Sequence, residues 1–276
     1  MVHPKLEELY NLDGKVALIT GGSRGLGLSM AEGFILAGAA KVYISSRKAE
    51  ACDQAVAHLN KLAKDNGLSG QAFAIPADVS NKAGADVLLA GFNKLDKDGK
   101  LDILVANAGA TWADDFDKFP DAAIQKVLDL NIRGVFLTIQ AFYTALNKAY
   151  KENGAKNGPS RVLITGSVAG INHNTPRAYS YNASKAGVHA LGKQLSVDLA
   201  PSISTNILAP GFFPSKMTNG LLSKVGDVFT EANPLKRLGE PDDIIGLSIF
   251  LTSKAGAYVN GAVIPVDGGS VNSSKL

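Results

Sequence analysis

Tyr181 and Lys185 stand four residues apart in the stretch Tyr181-Asn-Ala-Ser-Lys185. On a helix that spacing sets the two side chains about one turn apart on one face, so both head groups reach the same region of space. An ammonium held near a phenol stabilises the phenolate and draws its pKa down from about 10. A phenol tuned in this way gives a proton to a carbonyl oxygen, or takes one from an alcohol, near neutral pH. Tyr-x-x-x-Lys alone is weak evidence, because most such pairs are surface or half-buried helix residues. Tyr179 is a rival, but it lies six residues before Lys185 and so points to another helical face. What gives the pair meaning is the set of elements around it.

Near the N-terminus, Lys15-Val-Ala-Leu-Ile-Thr20 reads as a strand buried on both faces. Gly21-Gly-Ser-Arg-Gly-Leu-Gly27 follows at once, and Leu28 to Gly38 carries Ala31, Phe34 and Ile35 at helical spacing. A helix N-terminus offers unpaired backbone N–H groups and partial positive charge, and glycines let a pyrophosphate come close to them. Gly21, Ser23, Arg24, Gly25, Leu26 and Gly27 are therefore candidate cofactor contacts. The second strand, Lys41 to Ser45, ends where a dinucleotide site often holds an acidic residue for the adenosine ribose. Here Ser45, Ser46 and Arg47 stand instead. A carboxylate would repel a 2′-phosphate, whereas guanidinium and hydroxyl groups bind it with charge-assisted hydrogen bonds. With Arg24 as a second cation, the sequence points to NADP(H) rather than NAD(H), through Ser46 and Arg47.

The alternation continues. Ala49 to Asn66 is helical by pattern, Gln71 to Ala77 a strand weakened at Pro76, Asn81 to Lys97 a helix, and Leu101 to Ala106 a strand. Ala110 to Pro120 reads as a loop, Asp121 to about Tyr150 as one long helix, and Lys151 to Pro159 as a solvent loop. Ser160 to Thr165 is a strand, and the helix with Tyr181 and Lys185 runs to about Ala200. Ile203 to Leu208 and Ala262 to Val266 are strands, with a helix from Pro241 to Leu251. Between Phe212 and Arg237 no clean period is visible. This is an α/β chain of Rossmann type: a doubly wound parallel sheet of about seven strands, flanked by helices, in a single domain over residues 1–276.

Bulk composition narrows the function. Hydrophobic residues make up 46% and charged residues 19%, which suits a chain with a large buried core. The formal net charge of +3 comes without a dense basic tract, so no nucleic-acid partner is expected. No apolar run approaches the roughly 20 residues of a membrane span. Cys52 is the sole cysteine, and His3, His58, His173 and His189 are scattered without ligand spacing, so no metal site is expected.

Taken jointly, the spaced motifs resemble the short-chain dehydrogenase/reductase family from about Leu12 to Gly269. The first 11 residues would be an N-terminal extension, and residues 270–276 a tail. Thr20-Gly-Gly-Ser-Arg-Gly-Leu-Gly27 is similar to the family's cofactor turn. The resemblance implies that Asp78, with Val79 beside it, holds the adenine. It implies that Asn107, Ala108 and Gly109 steady the sheet beside the cofactor, and that Pro210 and Gly211 form the turn by the nicotinamide. It assigns the four catalytic positions to Asn131, Ser167, Tyr181 and Lys185. Tyr181 would be the general acid or base, and Lys185 would lower its pKa and hold the nicotinamide ribose. Ser167 would bind the substrate oxygen, and Asn131 would hold a water leading from Lys185 to solvent. Phe213 and Ser215 would anchor the carboxamide.

The resemblance implies an NADP-dependent reduction of a ketone or aldehyde, reversible as alcohol oxidation. A 3-oxoacyl thioester or similar β-keto compound is the first substrate class, and a polyol or sugar the second. The stretch Phe212-Phe-Pro-Ser-Lys-Met-Thr218 is similar to that of 3-oxoacyl-reductase members. A catalytically silent, regulatory NADP binder is the reading from another class, and filled catalytic positions oppose it. Reduction of a 2,4-dienoyl-CoA fits poorly, since members with that activity usually lack the tyrosine. Family members are usually tetramers or dimers, so a homotetramer is expected. Ser274-Lys275-Leu276, at the end of the sequence, is a peroxisomal address in a eukaryote; otherwise the expected location is cytoplasmic. His173, Asn174 and Pro176, in the loop before Tyr181, border the expected substrate space.

Overall fold

The structure, a computed structural model, describes residues 3–172, 175–215 and 218–273. His173 and Asn174, the Lys216-Met217 pair and the C-terminal Ser274-Lys275-Leu276 lie outside the described residues.

Seven strands form one sheet: β1 Val16–Thr20, β2 Lys41–Ser45, β3 Gln71–Ala74, β4 Ile103–Ala106, β5 Ser160–Thr165, β6 Ile203–Pro210 and β7 Val263–Val266. Their order is β3-β2-β1-β4-β5-β6-β7, and every pairing is parallel. The strands are short apolar runs because both faces are covered. Ala17 and Ile19 of β1 pack into one core with Met30, Phe34, Leu59 and Ile244. Val16 and Leu18 pack into the other with Phe92, Phe142, Val188 and Leu195. The alternation is the two-residue strand period, sandwiched between two helical layers.

The first layer is α2 Gly25–Leu36, α3 Ala49–Asp65 and α9 Pro241–Thr252. The second is α4 Lys82–Leu95, α6 Gly134–Asn157 and α7 Tyr179–Asp198. Three further helices are α1 Pro4–Tyr10, α5 Asp121–Leu128 and α8 Asn219–Ala232. Winding reverses between β1 and β4, and this switch point opens a crevice at the carboxyl ends of the strands.

Three expectations from the sequence are corrected. The long helix after Pro120 is not continuous: a π-type segment, Asp129–Arg133, divides α5 from α6 and carries Asn131. Lys151 to Asn157 is helical rather than loop. The stop signal is Gly158, at φ 75°, where a left-handed backbone closes α6 with an N–H bond to Gly154. The stretch from Phe212 to Arg237 contains α8, whose helix propensity is lowered by Gly220 and Gly226. Among the described residues, no helix is long and apolar enough to cross a membrane.

Candidate active site

The crevice floor is built by the exits of β1, β4 and β5. Gly21 takes φ 66°, and a Cβ there would meet the Ala108 Cα at 2.9 Å. Gly27 leaves room for the turn to fold back, since a Cβ there would lie 2.4 Å from the Gly21 carbonyl. Asn107 fastens the three strand ends. Its Nδ2 donates to the carbonyls of Thr20 and Gly21 at 3.0 and 3.2 Å, and its Oδ1 accepts from the Thr165 hydroxyl at 3.1 Å. The Thr20 hydroxyl accepts both the Asn107 and Ala108 N–H groups at 3.1 Å.

All but two of the residues expected at the site border this one crevice. Gly21, Ser23, Arg24, Gly25 and Leu26 line it from the first turn, and Ser46 and Arg47 from the end of β2. Asp78, Val79, Asn107, Ala108 and Gly109 line the adjoining wall, and Ser167, Tyr181 and Lys185 the far end. Pro210, Gly211, Phe213 and Ser215 complete it. The exceptions are Gly27, which packs beneath the turn, and Asn131. Ser45, named with Ser46 and Arg47 at the end of β2, lines the crevice too, and so do Lys48, Thr165, Leu130 and Thr218, which were not among the residues expected there. Lys48 adjoins Arg47 and shares its charge, which was a readable signal. Thr218 was not legible: its hydroxyl caps the turn before α8, accepting the Ser215 N–H at 2.9 Å and donating to the Phe213 carbonyl at 2.6 Å.

At the far end, α7 sets its side chains against the exit of β5. Lys185 is buried, and its Nζ donates to the Thr165 carbonyl at 2.7 Å. Burial draws its pKa down from 10.5 to about 8. Tyr181 is half-buried, with the Ser167 side chain near enough to act on its phenol. Burial pushes the phenol above its ordinary value, and the Ser167 hydroxyl opposes that rise. The expectation that Lys185 lowers the Tyr181 pKa is therefore not met in this structure. The ammonium lies 5.6 Å from the centroid of the phenol ring and gives one of its three N–H donors to Thr165. Tyr179, the rejected rival, stands 46% exposed and packs edge-on against Phe116 and Phe119, away from the site.

Asn131 is buried, and its side chain is a tie. Oδ1 accepts the Ala110 N–H at 2.9 Å, while Nδ2 donates to the Ala110 carbonyl and the Ser184 hydroxyl, both at 2.9 Å. The π-type turn projects this amide sideways onto the loop after β4. A Cβ on Gly109 would sit 3.4 Å from Asn131 Oδ1 and 3.8 Å from Lys185 Nζ, so the two share one small space.

Comparison with known proteins agrees with this geometry. The short chain dehydrogenase family matches residues 15–226. A rhamnolipid-biosynthesis 3-oxoacyl-[acyl-carrier-protein] reductase of Pseudomonas aeruginosa is 39% identical, over 94% of this chain and 97% of that protein. The solved Pseudomonas aeruginosa RhlG/NADP active-site complex superposes with a TM-score of 0.87 at 38% identity, over 96% of this chain and 99% of that one. A gluconate 5-dehydrogenase of Burkholderia cenocepacia, solved with NADP and tartrate, gives a TM-score of 0.83 at 31% identity, over 97% and 99% of the two chains. Fold, crevice and sequence match together establish that the chain belongs to the short-chain dehydrogenase family.

Proposed function

We propose that the protein is an NADPH-dependent reductase of a ketone or aldehyde carbonyl, reversible as an alcohol dehydrogenase. The observation that carries the proposal is one crevice bordered by a cationic cradle at one end and Ser167, Tyr181 and Lys185 at the other. The residues fit the cofactor. Arg24, Arg47 and Lys48 supply positive charge where a 2′-phosphate would lie, and the Ser45 hydroxyl there is buried and without a partner among the described residues. Gly21 to Gly27 at the start of α2 would receive the pyrophosphate, Asp78 and Val79 the adenine, and Asn107 to Gly109 the sugar beside the sheet. Pro210, Gly211, Phe213 and Ser215 would seat the nicotinamide end.

When bound, the reduced nicotinamide supplies the hydride. The chain supplies position and the proton. Ser167 orients the substrate oxygen and stabilises negative charge growing there. Tyr181 gives that oxygen its proton from the phenol hydroxyl. Lys185, an ammonium at pH 7 that lies 5.6 Å from the centroid of the phenol ring, would favour the phenolate through space as it forms and would hold the nicotinamide ribose. Asn131, fixed between Ala110 and Ser184, keeps open the space from which Lys185 draws the replacement proton.

For the substrate we favour a 3-oxoacyl thioester or similar β-keto compound. The Pseudomonas aeruginosa reductase bears that name, and so does a 35% identical 3-oxoacyl-[acyl-carrier-protein] reductase of Synechocystis. A sugar or polyol is the second reading, supported by the gluconate 5-dehydrogenase. A regulatory NADP binder without turnover would leave the geometry of Tyr181, Ser167 and Lys185 unused. We further propose a homotetramer, which light scattering tests. Where Ser274-Lys275-Leu276 ends the natural chain in a eukaryote, it would direct the protein to peroxisomes, and a fluorescent fusion lacking it should then stay in the cytosol.

Loss of NADPH absorbance with acetoacetyl-CoA, gluconate-type ketoacids and simple ketones tests the reading. Tyr181→Phe should lower kcat by at least about 100-fold, the lower range for a lost acid catalyst, with NADPH binding kept. Full turnover in that variant would refute the assigned chemistry.

A further inference from the structure

His189 is a buried titratable residue that the mechanism above does not use. It lies on α7, eight residues past Tyr181 and four past Lys185, so the three follow one helical face toward the β5 exit. Its Nε2 accepts the backbone N–H of Ser167 at 3.3 Å. The ring is 6% exposed and wedged beneath the turn: a Cβ on Gly166 would lie 2.2 Å from Nε2, and one on Gly170 2.7 Å from Cε1. Glycine at both positions is what lets an imidazole occupy that space. Ser167 itself is 8% exposed, so without His189 its N–H would be a buried donor with no partner.

We propose that His189 is a positioning residue for Ser167: as a neutral imidazole protonated on Nδ1, it holds the β5 exit turn so that the Ser167 hydroxyl meets Tyr181. A single helix then fixes two points of the turn. Lys185 takes the Thr165 carbonyl and His189 the Ser167 N–H, and the Ser167 hydroxyl then faces the phenol of Tyr181. Ser167 Oγ also accepts the Ala169 N–H at 3.1 Å, so its lone pairs are partly fixed by the same turn. An imidazolium could not accept the Ser167 N–H, so the neutral form is required. Burial first, then the charges of Lys185 and Lys193, draw the His189 pKa down to about 4, which keeps it neutral across the working range. Those two lysines are on its own helix, while Gly166, Ser167 and Gly170, which pack on it from the turn, carry no charge.

The kinetic test rests on the reductase reading and uses acetoacetyl-CoA with NADPH. His189→Leu removes the acceptor and keeps an apolar side chain; His189→Gln places an amide oxygen near the former Nε2. Leu should lower kcat about tenfold or more while NADPH affinity stays within about threefold, and Gln should recover most of the loss. Loss of the Ser167 bond should also move the Tyr181 limb of the pH profile upward in Leu and not in Gln. A Leu variant with undiminished kcat, or Gln and Leu impaired alike, overturns the proposal. An activity-independent measurement separates this from a failure of the reductase reading: selective nitrogen-15 labelling of histidine in the wild type. An Nδ1-protonated ring that does not titrate above about pH 5 supports the proposal. An Nε2-protonated ring overturns it, whether or not any carbonyl is turned over.

Discussion

Lys185 should cost the protein stability at neutral pH, and the cost can be measured. Its pKa falls from 10.5 to about 8 on folding because the ammonium is taken out of water. At pH 7 the charged form is therefore disfavoured in the folded state by about 3 kcal/mol relative to the unfolded chain, at about 1.4 kcal/mol per pKa unit. Lys185→Met keeps an unbranched apolar stem and removes the charge. It also removes the charge-assisted bond to the Thr165 carbonyl, at 2.7 Å, which offsets about 1.5–3 kcal/mol. The variant should match wild type in stability at pH 7 or exceed it by up to about 1.5 kcal/mol, while losing its turnover. Between about pH 8 and 10.5 the unfolded lysine holds a proton that the folded one has lost, so wild-type stability gains on the variant as pH rises through that window. Urea denaturation of both proteins at pH 7, 8, 9 and 10 gives the difference directly. A Met variant less stable than wild type at pH 7, or a gap that does not change across these pH values, would refute the reasoning.

Two further outcomes follow from the crevice. Arg47→Asp removes a cation and adds a carboxylate at the 2′-phosphate position, so the preference for NADPH over NADH should fall at least tenfold in kcat/KM, the loss of one charge-assisted hydrogen bond; an unchanged ratio would move the phosphate site elsewhere. Asn107→Ala removes the amide that fastens β1, β4 and β5. It should cost about 2–3 kcal/mol in urea denaturation and weaken NADPH binding in the same variant, whereas loss of binding at full stability would argue against the sheet-fastening role.

What the sequence disclosed was what is local. The strand, glycine turn and helix around Gly21 to Gly27 follow from backbone requirements that only certain residues meet, and β2 and β5 have the predicted ends. Tyr181 and Lys185 were legible because one helix carries both. The misses are long-range. Asn131 reads as a polar residue in a helix until its amide is seen gripping Ala110 and Ser184, and no local pattern announces the π-type turn that aims it. His189 continues the face of Tyr181 and Lys185, but that spacing does not reveal its partner, a backbone N–H on another element. The direction of the Tyr181 shift was also wrong for a physical reason. Spacing gives proximity to a cation, but not the desolvation that both groups suffer together.

That shared desolvation bears on why so many ties converge on α7. A buried ammonium and a half-buried phenol are held near one another at a net cost, and a looser structure would relieve it by letting Lys185 swing to water. The helix prevents this by bonding to three separate elements: Thr165 and Ser167 at the β5 exit, Asn131 through Ser184, and, through Asn131, the loop at Ala110. Ser184 also donates to the Tyr181 carbonyl at 2.7 Å, so the tie to Asn131 is anchored within the same turn as the phenol. Relief at Lys185 would require moving the whole helix, and with it Leu195 and Val188 out of the second core. The hydrophobic packing of α7 thus holds the unfavourable charge in place, and the site's acid strength is set by the rigidity of one helix rather than by any single contact.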